Sequence, residues 1–146
     1  MKDDHGTLKL ENQLCFRLYS ASKEIVRRYK PHLDPLGLTY TQYLVMMVLW
    51  SEECVCVKEL GKRLRLESST LTPLLKKLES AGYVTRKRSK KDERGTRVSL
   101  TEEGREMHDR AMEVPTCMVS DLDVDPQLAS ELAALLDRFM EQVVSN

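Results

Sequence analysis

Residues 58–101 read KELGKRLRLESSTLTPLLKKLESAGYVTRKRSKKDERGTRVSLT, and this stretch decides the fold. Two short helical patterns come first. Val57, Leu60, Leu64 and Leu66 give one apolar face, and Leu71, Leu74, Leu75 and Leu78 give a second at helical spacing. Ser68 or Ser69 is placed to cap the second helix. Pro73 falls near its first turn, where a missing N–H costs least, and Gly82 is a natural stop. Two strand-like runs follow, YVTRKR and TRVSL, with Val84, Val98 and Leu100 as inward residues. The basic loop SKKDERG joins them. Helix, turn, helix and hairpin in this order make a winged helix-turn-helix. Its second helix is built to enter a DNA major groove and its hairpin to reach the backbone or minor groove.

Charge segregation agrees. The chain is neutral overall, but residues 58–97 hold 13 Lys or Arg against 5 Asp or Glu, which leaves the remainder strongly acidic. Phosphate binding needs a local basic face, not a basic total. On the second helix Ser68, Ser69, Thr70 and Thr72 face outward as candidate base contacts, with Lys76 and Lys77 as phosphate contacts. The wing strand adds Arg86 and Arg88.

At 146 residues and 41% hydrophobic, the chain reads as one domain over 1–146 with enough length for a core. MKDDHGTLKLEN lacks the apolar region of a signal peptide, and the apolar run Tyr43 to Trp50 is too short to span a bilayer. A cytosolic protein without a membrane anchor is expected. Cys15, Cys54, Cys56 and Cys117 then read as reduced thiols, not as a disulfide framework.

Outside 58–101 the pattern is helical. Leu8 to Lys30 reads as one helix with two neighbouring stripes, Leu14, Leu18, Ala21, Ile25, Tyr29 and Cys15, Tyr19, Ser22, Val26. That face is wider than one intramolecular contact needs. Pro31 and Pro35 are expected to end it. Thr39 and Gln42 fit a capping box, with Leu38 and Tyr43 as its staple. Cys54 to Val57 alternates like a third short strand against the wing. Thr101 caps a fifth helix that Pro115 should interrupt, and Asp125-Pro126 opens a last helix with a leucine stripe from Leu128 to Val143. The expected fold is mainly α with a small β wing. The winged helix-turn-helix is flanked by segments 8–35 and 102–146, whose excess apolar surface suits a homodimer.

SSTLTPLLKKLESAGYVTRKRS followed by DERGTRVSLTEEG resembles the multiple-antibiotic-resistance regulator (MarR) family. NQLCFRLYSASKEIVRRYKPHLDPLGLTYTQYLVMMVLW is similar to its organic-hydroperoxide-resistance (OhrR) branch. The likeness runs from about Leu8 to Val144 and implies a homodimeric repressor on a pseudo-palindromic DNA operator, with an organic hydroperoxide as oxidant. It implies that Cys15 is oxidised and that Tyr29 and Tyr40 hydrogen-bond its sulfur. It also implies that Arg94 enters the minor groove with Asp92 supporting it, and that Cys117 is the second cysteine of the two-cysteine members. Cys54 and Cys56 have no place in that pattern.

The residues themselves leave alternatives open. A cysteine on an apolar helix face is most often a small buried hydrophobe. A sensing cysteine reacts as a thiolate. In a helix starting at Leu8, Cys15 lies too far in for the dipole to help, so donors such as Tyr19 must act. Tyr29 of the same helix is about 21 Å away at 1.5 Å rise per residue. Only Tyr29 of an antiparallel partner could reach Cys15, so the implied contact needs a dimer. Cys117 beside Pro115 reads equally as core filler. Cys54 and Cys56 share a strand face, but no histidine spacing completes a zinc site, so neither metal nor cofactor is expected. Two other functions compete: a repressor that binds a small aromatic acid with inert cysteines, and a thiol peroxidase. The basic wing argues against an enzyme.

Overall fold

The structure is a computed structural model that describes residues 6–88, 90 and 95–146. The chain runs α1 (Leu14–Leu33), α2 (Tyr40–Glu52), β1 (Cys54–Cys56), α3 (Val57–Leu64), α4 (Ser68–Ser80), β2 (Val84–Arg88), β3 (Thr96–Leu100), α5 (Glu102–Ala111), α6 (Glu113–Leu122) and α7 (Pro126–Ser145). The sheet is antiparallel in the order β1-β3-β2. This is the expected mainly helical winged helix-turn-helix, with the third strand in place.

The core lies between α2, α4, the sheet and the α5–α6 pair. Val45, Met46 and Leu49 of α2 are fully enclosed, against Leu71, Leu75 and Leu78 of α4, Val84 and Val98 of the sheet and Met107 and Met118 beyond. The capping box is present: Gln42 N–H donates to Thr39 Oγ1 at 3.3 Å, and Thr39 N–H donates to Gln42 Oε1 at 2.9 Å. Leu38 and Tyr43, the staple pair, are both buried. Gly82 ends α4 with φ 86, a left-handed conformation that a side chain would strain. Gly104 is needed for a different reason. A Cβ there would lie 2.2 Å from the Tyr83 carbonyl oxygen, so α5 can pack on the wing only without one. Its own carbonyl accepts the Trp50 indole N–H at 2.8 Å, which ties α5 to α2.

The helix boundaries correct the sequence reading at three places. α1 begins at Leu14, not Leu8. A 3-10 turn, Leu10–Asn12, precedes it, held by Gln13 Nε2 donating to the Thr7 carbonyl at 2.6 Å and Asn12 Nδ2 donating to the Gly6 carbonyl at 2.7 Å. Pro31 lies inside α1 and does not end it; only its last turn is affected, and the helix stops at Leu33. In α4 the N-cap is Glu67 without a side-chain bond. Ser68 is therefore the first helical residue, and Pro73 sits in the second turn, leaving the Ser69 carbonyl without its helical donor. Pro115 acts as expected: the chain breaks at Met112 and restarts as α6. Asp125 Oδ1 caps α7 by accepting from Gln127 N–H at 2.7 Å.

α7 is unlike the others. None of its residues is buried, and Leu128, Leu132 and Leu135 are each more than half exposed. α1 buries only Leu33, while Leu14, Phe16, Tyr19 and Val26 stay exposed. The apolar faces of α7 and of the N-terminal part of α1 are thus left largely uncovered within one chain.

Candidate DNA-reading surface and thiol centres

α4 presents its polar face as its periodicity requires. Leu71, Leu74, Leu75 and Leu78 point into the core. Ser68, Ser69, Thr70, Lys76 and Lys77 are exposed, and Thr72 is half-buried. Among the described residues the hydroxyls of Ser68, Ser69 and Thr70 have no hydrogen-bond partner, so they are available to another molecule. Arg88 is exposed at the far end of β2. Asp92 and Arg94 lie outside the described residues.

Arg86 departs from its expected role. On β2 it shares the inward face with Val84, and its guanidinium Nη2 donates to Glu79 Oε1 of α4 at 3.1 Å. Its backbone N–H donates to Glu79 Oε2 at 3.0 Å. Arg86 therefore ties the wing to the reading helix instead of facing DNA. Period-two alternation next to buried Val84 was the signal that could have shown this. The Arg86 side chain and backbone amide hold the Glu79 carboxylate below its usual range. A carboxyl lowered on folding stabilises above its ordinary value, and that stabilisation is lost as pH falls through the lowered value. Glu79→Gln should consequently lower the melting temperature by a few degrees at pH 7, and the gap to wild type should close in acid. Melting curves across pH check this, and a gap that persists when Glu79 is protonated would contradict it.

None of the four cysteines is in a disulfide. Cys15 is exposed and is the second residue of α1. It therefore stands in the first turn, where free amide groups favour negative charge. A helix starting at Leu8 would put it beyond the reach of the dipole. Among the described residues no tyrosine of the same chain bonds its sulfur. Tyr19 is exposed with Lys23 Nζ 5.1 Å from its ring centroid, and so is not held against Cys15. Tyr29 and Tyr40 do meet, with ring centroids 4.7 Å apart, and Tyr43 lies 5.8 Å from Tyr29. Burial pushes the Tyr40 phenol above its ordinary value, with a smaller contribution from Tyr29, so it stays an O–H donor.

Cys117 is half-buried in α6 and lines a cleft of about 570 Å³ with Pro31, His32, Arg110 and Glu113. His32 Nε2 and Asp121 Oδ2 lie 2.5 Å apart across the α1–α6 contact, and Arg110 Nη2 donates to the Pro35 carbonyl at 2.8 Å. Cys117 and the Tyr29–Tyr40 pair thus both lie at the C-terminal end of α1. Cys15 lies at the N-terminal end, about 21 Å from Tyr29 and about 25 Å from His32 along the helix.

A family model described as Transcriptional regulator SarA/Rot matches residues 27–111. The organic hydroperoxide resistance transcriptional regulator of Bacillus subtilis (strain 168) is 51% identical over 114 residues, 78% of this chain and 76% of that one. The chain belongs to the MarR-type winged-helix family of transcriptional regulators, in its organic-hydroperoxide-resistance branch. AbfR of Staphylococcus epidermidis in a reduced, DNA-bound structure is 31% identical with a TM-score of 0.79, over 97% of this chain and 99% of that one. AbfR in a disulfide-formed structure gives 34% identity and a TM-score of 0.66, over 94% and 96%. Among the described residues no helix is long and apolar enough to cross a membrane.

Proposed function

We propose that the protein is a homodimeric DNA-binding repressor, not an enzyme, that organic hydroperoxide releases from its operator by oxidising Cys15. One observation carries this reading. Cys15 is exposed at one end of an unpartnered helical face, and the donors it needs are gathered at the other. Antiparallel pairing of α1 with its copy near Ser22 sets Cys15 of one protomer against the Tyr29–Tyr40 pair of the other. The same pairing carries it towards the cleft of Cys117, which a thiol of its own chain cannot reach. The reduced and disulfide structures of AbfR support such a switch in this family.

On DNA, the two α4 helices of such a dimer read half-sites about 34 Å apart on a pseudo-palindrome. Ser68, Ser69, Thr70 and Thr72 face bases, Lys76, Lys77 and Arg88 meet phosphates, and Arg94 with Asp92 serves the minor groove.

Fluorescence anisotropy on an operator duplex tests the reading. One equivalent of organic hydroperoxide should release the wild type. Cys15→Ser should bind with unchanged affinity and stay bound after oxidant. A Cys15→Ser protein that still lets go would remove Cys15 from the mechanism. The second reading, a small aromatic acid as effector, is favoured by an open cleft of about 360 Å³ lined by Tyr43, Met47, Trp50, His108 and Met112. Release by such an acid without oxidant would select it.

A further inference from the structure

Cys54 and Cys56 are absorbed by none of the above. They flank buried Val55 on β1, so both sulfurs lie on the outer face of the sheet and both are partly exposed. Cross-strand pairing sets Cys54 opposite Ser99 and Cys56 opposite Arg97. Arg97 Nε donates to Cys54 Sγ at 3.3 Å, and the Ser99 side chain bonds the same sulfur. Two thiols, a cation and a hydroxyl thus share one face at the base of the wing.

We propose that Cys54 and Cys56 form a second oxidant-responsive dithiol, independent of Cys15, in which Cys54 attacks a hydroperoxide and Cys56 resolves it. The guanidinium decides between ligand classes. Its positive charge on the sulfur opposes a metal cation, and among the described residues no group of three His, Cys, Asp or Glu could hold one. The same charge favours a thiolate and an anionic leaving oxygen. The Ser99 hydrogen bond, then that of Arg97, pulls the Cys54 thiol below its ordinary value against the effect of burial.

The Cys54 thiolate attacks the terminal peroxide oxygen. The O–O bond breaks, an S–O bond forms, and the alkoxide leaves as alcohol with a proton from water. Sulfur is oxidised by two electrons and the peroxide is reduced. The Cys56 thiol then attacks the Cys54 sulfenic acid and gives its proton to the departing hydroxide, so that the S–S bond forms, the S–O bond breaks and water is released. Residues two apart on a strand are separated by about 6.7 Å, at the upper limit for a disulfide, so closure must shorten β1. β1 is a three-residue edge strand held by β3, and its shortening loosens the base of the wing.

The proposal rests on the proposed function only for its oxidant. The Cys15→Ser/Cys117→Ser protein is treated with tert-butyl hydroperoxide, alkylated and digested with trypsin, and wild-type Cys15 is followed in parallel as a separate test of that function. Cys54 and Cys56 should lose alkylation together, in one peptide lighter by two hydrogens, and dimedone should trap Cys54 in a protein that also carries Cys56→Ser. Arg97→Gln should slow Cys54 oxidation about tenfold at neutral pH and move its rate profile to higher pH, with Arg97→Lys restoring part of it. Both thiols staying fully alkylatable at a dose that consumes wild-type Cys15 would overturn the proposal, as would an unchanged Cys54 rate in Arg97→Gln.

Discussion

Leu132→Asp combined with Leu135→Asp should leave a folded chain that no longer dimerises and has lost its operator. Both leucines are more than half exposed in one chain, and α7 has no buried residue, so the core does not depend on them. With Leu14, Leu18 and Phe139 they line an apolar groove between α7 and the start of α1. Burying one leucine is worth about 1.5–3 kcal/mol, and a pair of carboxylates put in their place must be desolvated unpaired. Such a cost exceeds what a dimer of small subunits can absorb. A monomer engages one half-site and forfeits the effective concentration that linkage gives the second, which is about 10²–10⁴ in affinity. Sedimentation velocity should show a monomer, circular dichroism a largely retained helical signal, and anisotropy a loss of that order. A dimer that survives both substitutions would place the interface elsewhere.

The winged module was legible because its signals are local. Leucine spacing, Gly82, Thr101 and the alternation around Val98 each act within a few residues, and each is found where expected. The misplacements come from side-chain bonds and strand pairings that periodicity does not report. The start of α1 is set by side chains that reach back to carbonyls, as Gln13 does to Thr7 and Lys9, and no periodicity reports such bonds. The consequence is chemical, since a helix beginning at Leu14 puts Cys15 in its first turn. Arg86 escapes a count of charge because such a count ignores strand face, and a basic run with Glu79 beneath it is not all solvent-facing. The tyrosine cluster depends on α1 and α2 meeting, which the sequence alone showed only through the family likeness. Arg97 beside Cys54 depends on register between strands 40 residues apart in sequence, which no local pattern specifies.

Cys117→Ser should abolish a covalent dimer that hydroperoxide otherwise produces, while leaving Cys15 oxidation intact. In the proposed mechanism the Cys15 thiolate would take the terminal peroxide oxygen and become a sulfenic acid, with release of the alcohol. A second thiol then attacks that sulfur and gives its proton to the departing hydroxide, so that water leaves as the disulfide forms. Cys117 of the same chain is excluded by the length of α1, since its cleft is lined by Pro31 and His32 at the opposite end. In the proposed antiparallel dimer the partner would bring the two ends together, so the bond would join chains. Disulfide formation needs the Cα atoms within about 7 Å, and α6 must move unless the dimer already supplies that approach. The break at Met112 and Pro115 leaves α6 free of the α5 helical ladder, and its remaining ties to α1 include His32–Asp121. In the proposed dimer, displacing α6 would shift the base on which α5 and the wing are carried, and the spacing of the two α4 helices would change with it. Non-reducing electrophoresis after tert-butyl hydroperoxide should show a dimer for wild type and a monomer for Cys15→Ser and Cys117→Ser. Dimedone should label Cys15 in Cys117→Ser alone of these two variants. A covalent dimer that persists in Cys117→Ser would shift the resolving role to another thiol, and Cys54 and Cys56 would be the next to test.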